Sequence, residues 1–157
     1  MIQPHDLLSH AVALARGGGD EVDTRRAVSA AYYALFHALA ISGASVFASA
    51  GPAIAAQVAR SFEHTTMLQI CKSYLTPGSR QALDSSLVQI AQVFVDLQGA
   101  RHSADYDLAG SLTHLEAARL VASCVTALRL LPDVVASQEG QGFLARLLLG
   151  SRMTRRG

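Results

Sequence analysis

The chain has 157 residues and a mass of 16.6 kDa, the size of one domain able to bury about two thirds of its unfolded surface. Hydrophobic residues make up 50% and charged residues only 16%, against roughly 25% charged in an average soluble domain; this excludes a disordered, highly charged chain and leaves surface for a partner to cover. The formal charge of +1 is uneven, because nine basic residues face twelve acidic ones up to Glu139, whereas Arg146, Arg152, Arg155 and Arg156 follow with no acid.

The opening residues, Met1 to Asp6, lack the basic run and long apolar stretch of a secretory signal. Pro4 opens a predicted first helix through Leu7, Leu8, Val12 and Leu14, which stops at Gly17-Gly18-Gly19. Asp20 or Asp23 then caps a second helix, with acidic side chains at its positive end. Val28, Tyr32, Leu35, Leu39 and Val46 form its stripe, widened by Tyr33, Phe36, His37 and Ala40. No Asp, Glu, Lys or Arg occurs between Arg26 and Arg60. A membrane span needs about 20 predominantly apolar residues, but this segment is rich in Ala and Ser and carries Tyr32, Tyr33, His37, Pro52 and Gln57. The expectation is the central helix of a core, with no membrane partner and a cytoplasmic location.

Pro52 starts a predicted third helix through Ile54, Val58, Phe62, Met67 or Leu68, and Cys71 to Leu75, and Thr76-Pro77-Gly78-Ser79 is a turn. A fourth helix carries Leu83, Leu87, Ile90, Phe94 and Leu97 and frays into Gly99-Ala100-Arg101-His102. Thr113 with Glu116 fits a capping box for a fifth helix, whose stripe is Leu115, Ala118, Val121 or Ala122, Val125 and Leu128, ending at Pro132. No stretch alternates as a half-buried strand does. The expected fold is all-α, an antiparallel four- or five-helix bundle over residues 1–132. Residues 133–157 form an extension with a short helix at Gly142–Leu149, whose leucines are a candidate partner contact, and a basic tail. That tail either contacts phosphate or ends the chain in solvent. Cys71 and Cys124 lie in apolar stretches and read as inert, buried thiols of a reducing compartment.

Metal chemistry finds no support in spacing. Glu63 sits directly beside His64, Glu116 has no histidine three residues on, and no Cys-x-x-Cys pair occurs. No metal and no cofactor are expected. Gly17-Gly18-Gly19 lacks the Lys-Ser or Lys-Thr of a phosphate-binding loop.

Two polar segments stand out on apolar helices. In the first, Ser29, Tyr33 and His37 fall at successive steps of four and share one face, with Arg26 at its edge. A cation, a hydroxyl, a phenol and an imidazole in line make a hydrogen-bonding strip. The second is Arg101-His102-Ser103-Ala104-Asp105-Tyr106. Arg101 and Asp105 are spaced for an ordinary helical ion pair; equally, arginine, aspartate and tyrosine at an apolar helix end suit an anionic or base-containing ligand. His64 reads as a structural histidine satisfied by a partner.

Together, Ser29-Ala30-Ala31-Tyr32-Tyr33-Ala34-Leu35-Phe36-His37 and Arg101-His102-Ser103-Ala104-Asp105-Tyr106 resemble the HEPN superfamily, in its small stand-alone bacterial branch. The resemblance covers about residues 5 to 132. It implies a homodimeric bundle whose cleft binds RNA or a nucleotide, with Arg26, Tyr33, His37, Arg101, Asp105 and Tyr106 as ligand-binding candidates. Relatives serve as ribonuclease toxins, as partners of nucleotidyltransferases in toxin–antitoxin pairs, or as nucleic-acid- or nucleotide-binding modules. The nuclease members place a His four to six residues after an Arg. Here that window holds Asp105, Tyr106 and Asp107, which removes the usual proton acceptor for 2′-hydroxyl attack. The expectation is therefore an RNA- or nucleotide-binding effector of a toxin–antitoxin, stress or defence system. One alternative is a ribonuclease with a non-standard site built on Arg101, His102 or Asp105. Another is a non-enzymatic module that partners a nucleotidyltransferase and carries a modification on Tyr106.

Overall fold

The computed structural model describes residues 2–150, and every regular element among them is helical. Pro4 occupies the first turn of α1 (Pro4–Ala15), and Asp6 reaches back to the N–H of Gln3. The glycine turn follows, with Gly19 at φ 78°, a conformation that side chains disfavour. Asp20 accepts from the N–H of Val22 and opens α2 (Glu21–Ala44). A 3-10 segment (Ser45–Ala50) leads to α3 (Pro52–Arg60), α4 (His64–Ser73) and the short α5 (Pro77–Ala82). The long α6 (Ser85–Tyr106) and α7 (His114–Ala136) come next, and α8 (Gln138–Leu149) closes the order.

The chain is an all-α helical bundle built around α2. Ala27, Val28, Ala31, Tyr32, Leu35 and Leu39 are buried there, and α2 packs on α1, α3, α6, α7 and α8. With its 3-10 continuation it is the one described helix long and apolar enough to cross a membrane; its place at the centre of the core accounts for that composition. Val46, expected on the buried stripe, is instead 62% exposed, beyond the end of α2. Contacts fix the direction of the neighbours. Arg25 reaches Ala104 and Tyr33 reaches Arg101, so α6 runs antiparallel to α2. Gly19 lies beside His114, and Cys124 beside Ala31, so α7 runs parallel to it.

Five elements differ from the sequence expectation, four of them for a local reason. The single helix expected from Pro52 to Leu75 is broken at Ser61–Glu63, where Phe62 turns inward (5% exposed) onto Gly43. A Cβ at Gly43 would overlap the Phe62 ring, so that glycine makes the close approach feasible. α5 forms where a plain turn was expected, capped by Thr76. α6 does not fray at Gly99 but continues to Tyr106, held by the buried Ala104 and the Arg101–Asp105 pair. α7 passes through Pro132. Pro132 itself is exposed, so its ring meets no core neighbour, and the buried Leu131 and Val134 anchor the helix on both sides of it.

α8 also differs, because its leucines were expected to await a partner. It turns back from α7 by 106° and buries Phe143, Leu144 and Leu147 in the same core as α2, α4 and α7. Phe143 meets Tyr74 edge-on at 4.9 Å, and Arg146 donates to the Tyr74 hydroxyl. The helix placed in an extension after residue 132 is thus part of the bundle. Arg152, Arg155 and Arg156 of the basic tail lie outside the described residues.

Candidate functional site

α2 presents one polar line to α6. Arg25, Ser29, Tyr33 and His37 are four residues apart in turn, which stacks them on one face. Because α6 runs the other way, Arg25, Ser29 and Tyr33 meet successive parts of its C-terminal end. Arg25 donates to the carbonyls of Ala104, Asp107 and Gly110 and pairs with Glu21. Ser29 donates to Asp105 Oδ1 at 2.9 Å. Tyr33 accepts from Nη2 of Arg101 at 3.0 Å.

Arg101 is the centre of the arrangement. Its side chain is only 18% exposed, and its Nε lies 3.0 Å from Asp105 Oδ2. That N–H is not aimed at the carboxylate and takes no hydrogen bond, so the contact is an ion pair rather than a directed bond. The guanidinium lies 5.3 Å from the ring centroids of both Tyr32 and Tyr33, a cation–π seat that keeps the positive charge without neutralising it. Among the described residues Nη1 makes no hydrogen bond.

Two histidines complete the face. His64, the first residue of α4, stacks on Phe36 at 4.0 Å and on Tyr32 at 5.6 Å. Its Nδ1 pairs with the Tyr32 hydroxyl. Burial raises the pKa of Tyr32 well above the ordinary phenol value, so the phenol keeps its proton. Imidazole nitrogen is the stronger acceptor of the two, and we therefore assign the Tyr32 O–H as donor and the His64 proton to Nε2. Burial, then the charge of Arg101, then His37, hold His64 below the usual histidine value. His37 is exposed at one edge but packed against Tyr33 and Phe36, and this loss of hydration lowers its pKa too. Both imidazoles are therefore neutral at pH 7, one as an N–H donor and one open to accept a proton.

The structure thus brings together Tyr33, His37, Arg101 and Asp105 from the sequence candidates, and adds Ser29 and His64. It does not bring in Arg26, which is exposed and makes no side-chain hydrogen bond or ion pair among the described residues; Arg25 stands in the line instead. Tyr106 is 70% exposed, with its ring 5.0 Å from that of the exposed His102. Among the described residues no side-chain hydrogen bond, ion pair or ring contact joins Arg26 or Tyr106 to Arg101 or His37. Cys71 and Cys124 are free and buried, with burial raising both thiols, that of Cys124 to about 12; neither is a nucleophile. Among the described residues no three His, Cys, Asp or Glu gather into a group able to hold a metal ion.

A surface depression of about 530 Å³ is lined by Arg25, Ser103, Ala104, Leu112, Arg119 and Leu120. Arg101 does not line it. No family model matches the chain, no curated protein matches it, and no solved structure matches it. Fold and side-chain geometry accordingly carry the functional argument.

Proposed function

We propose that the chain is a HEPN-type effector that binds RNA or a nucleotide through the Arg101 face, as the toxin-like component of a toxin–antitoxin, stress or defence system in the cytoplasm. The observation that carries this reading is a half-sequestered arginine with one open N–H group, whose charge also acts on the neutral imidazole of His64. Tyr33 and Asp105 orient the guanidinium, and its remaining donors meet a phosphate as arginine does in general. The His64 Nε2–H supplies a second donor to the same anion. Tyr33 and His37 give a base a surface on which to stack. The chain acts as a homodimer in this reading, as the HEPN resemblance implies.

A ribonuclease activity is the second reading, and one observation favours it. The sequence lacks a histidine at the usual spacing after Arg101, yet His64 from α4 lies within reach of that arginine's charge, and His37 lies beside His64 and Tyr33. Neutral His37 would take the 2′-hydroxyl proton as the oxygen attacks phosphorus. Arg101 would stabilise the added negative charge, and the 5′-oxygen would leave with a proton from solvent. The third reading is a non-enzymatic module for a nucleotidyltransferase, and the exposure of Tyr106 leaves that phenol open to modification.

Fluorescence titration of a single-stranded RNA and of ATP at low salt tests the proposal, with wild type set against Arg101→Ala. Binding that the substitution weakens tenfold or more supports it, and absence of wild-type binding removes it. Cleavage of the RNA by wild type but not by His37→Ala separates the second reading from the first. A mass shift on Tyr106 with a co-purifying nucleotidyltransferase, and no RNA binding, favours the third.

A further inference from the structure

α7 carries two apolar stripes. Ala117, Val121, Cys124 and Ala127 are buried in the bundle. Leu115, Ala118, Ala122 and Val125, three and four residues apart, form the other; Leu115 is 58% exposed, Ala122 is exposed, and Ala118 and Val125 are half-buried. That spacing is the seam of a helix that packs against a further helix, and nothing in the described chain covers it. Beside it, Val12 and Ala15 of α1 complete a groove of about 360 Å³. No side chain of the groove floor is longer than valine, so an incoming backbone can come close.

The groove has a charge signature. Arg16, Thr126 and Arg129 line it and no acidic residue does. Both arginines are exposed, and neither forms an ion pair among the described residues. Because Gly19 lies against His114, the end of α1 sits at the start of α7. Arg16 therefore stands at the Ala118 end of the groove and Arg129 at the other. From Ala118 to Arg129 the helix rises about 16 Å, close to three full turns. Two charges eleven residues apart on an incoming helix fall on one face at the same separation.

We propose that this groove docks an amphipathic helix of a partner protein. Its inner face carries small or leucine side chains three and four residues apart, with carboxylates about eleven residues apart that meet Arg16 and Arg129. This site is independent of the Arg101 face. Apolar contact along the seam supplies the affinity, and the two arginines select acidic helices over basic ones.

Two synthetic peptides test it, each about eighteen residues long and so roughly 27 Å as a helix. They share one leucine and alanine seam and differ only in Glu or Lys at two positions eleven residues apart. Each is titrated into the full chain by fluorescence anisotropy. The Glu peptide binds and the Lys peptide binds at least tenfold more weakly. The double variant Arg16→Glu with Arg129→Glu, both on the surface, reverses that preference, and Ala122→Trp blocks both peptides. Equal binding of the two, binding of neither, or a preference that survives the double reversal overturns the proposal. So does a chain that sediments as a dimer split by Ala122→Glu, because a second copy then covers the seam.

Discussion

Replacing Tyr32 by Phe isolates one hydrogen bond at the centre of the candidate site. The Tyr32 side chain is fully buried, and its ring keeps its contacts with Phe94, Phe36 and Arg101 in the variant. Only the hydroxyl is lost, and with it the proton that pins Nδ1 of His64. A net buried hydrogen bond contributes about 1 kcal/mol, and a partner left unpaired costs about 1–3. His64 is half-buried, so water compensates partly and a loss of about 1–2 kcal/mol is expected. With a urea slope of roughly 2 kcal/mol/M, the unfolding midpoint falls by about 0.5–1 M. The second readout is specific to the site. In the wild type, nitrogen-15 NMR shows His64 as a single Nε2–H tautomer; in the variant both tautomers are populated. Phosphate affinity then falls by less than about tenfold, since Arg101 is untouched and tenfold corresponds to 1.4 kcal/mol. An unchanged midpoint together with an unchanged tautomer would refute the assigned role of Tyr32.

Three further outcomes follow from the packing. Phe143→Ala, at a fully buried ring against Tyr74, costs about 3–5 kcal/mol in urea unfolding; a loss below about 1 kcal/mol would mean that α8 is detachable. Arg25→Ala removes one carbonyl contact to the end of α6 and two to the 107–113 connector, and hydrogen exchange of that connector accelerates while α1 stays protected. Retained protection of the connector would contradict the brace. His37 and His64 hold protons more weakly folded than unfolded. Their contribution to stability is therefore constant above the ordinary histidine value and declines as pH falls from about 6.5 through their lowered values. Urea midpoints that rise on acidification through this window would reverse that sign, and an unaltered His64 titration in Arg101→Ala would deny the coupling, since loss of the cation should raise the His64 pKa.

How far the sequence discloses this molecule depends on which residues decide each feature. α2 is legible because it is apolar nearly all round, and only a central helix tolerates that. The polar line was also legible, yet the step of four that joins Ser29, Tyr33 and His37 leads back to Arg25, not to Arg26. The Arg101–Asp105 spacing allows a helical pair, but Gly99 signals an earlier end to α6, and only the structure shows the helix continuing to Tyr106. The α7 stripe was misplaced for an energetic reason. Leu115 and Val125 offer more apolar area than Ala117 and Ala127, but α7 packs on the alanine-rich face of α2, where Cys124 reaches the Ala31 carbonyl at 3.3 Å. So close an approach admits only small side chains. His64 was legible as a structural histidine with a partner, but the partner, Tyr32, is distant in sequence and is met only because of the break after Arg60. That break follows from Phe62 fitting over Gly43, a tertiary contact that periodicity does not register.

The most direct test of the account follows the side chains themselves as an oligoribonucleotide is added. Side-chain NMR of Arg101 Nε–Hε and of the His37 and His64 rings, recorded at low salt, should show these signals shifting first and saturating together. In Arg101→Lys, which keeps the charge but loses the planar fork, the shifts should be smaller and the affinity weaker. Signals that stay in place while backbone resonances elsewhere move would contradict the claim that this face receives phosphate.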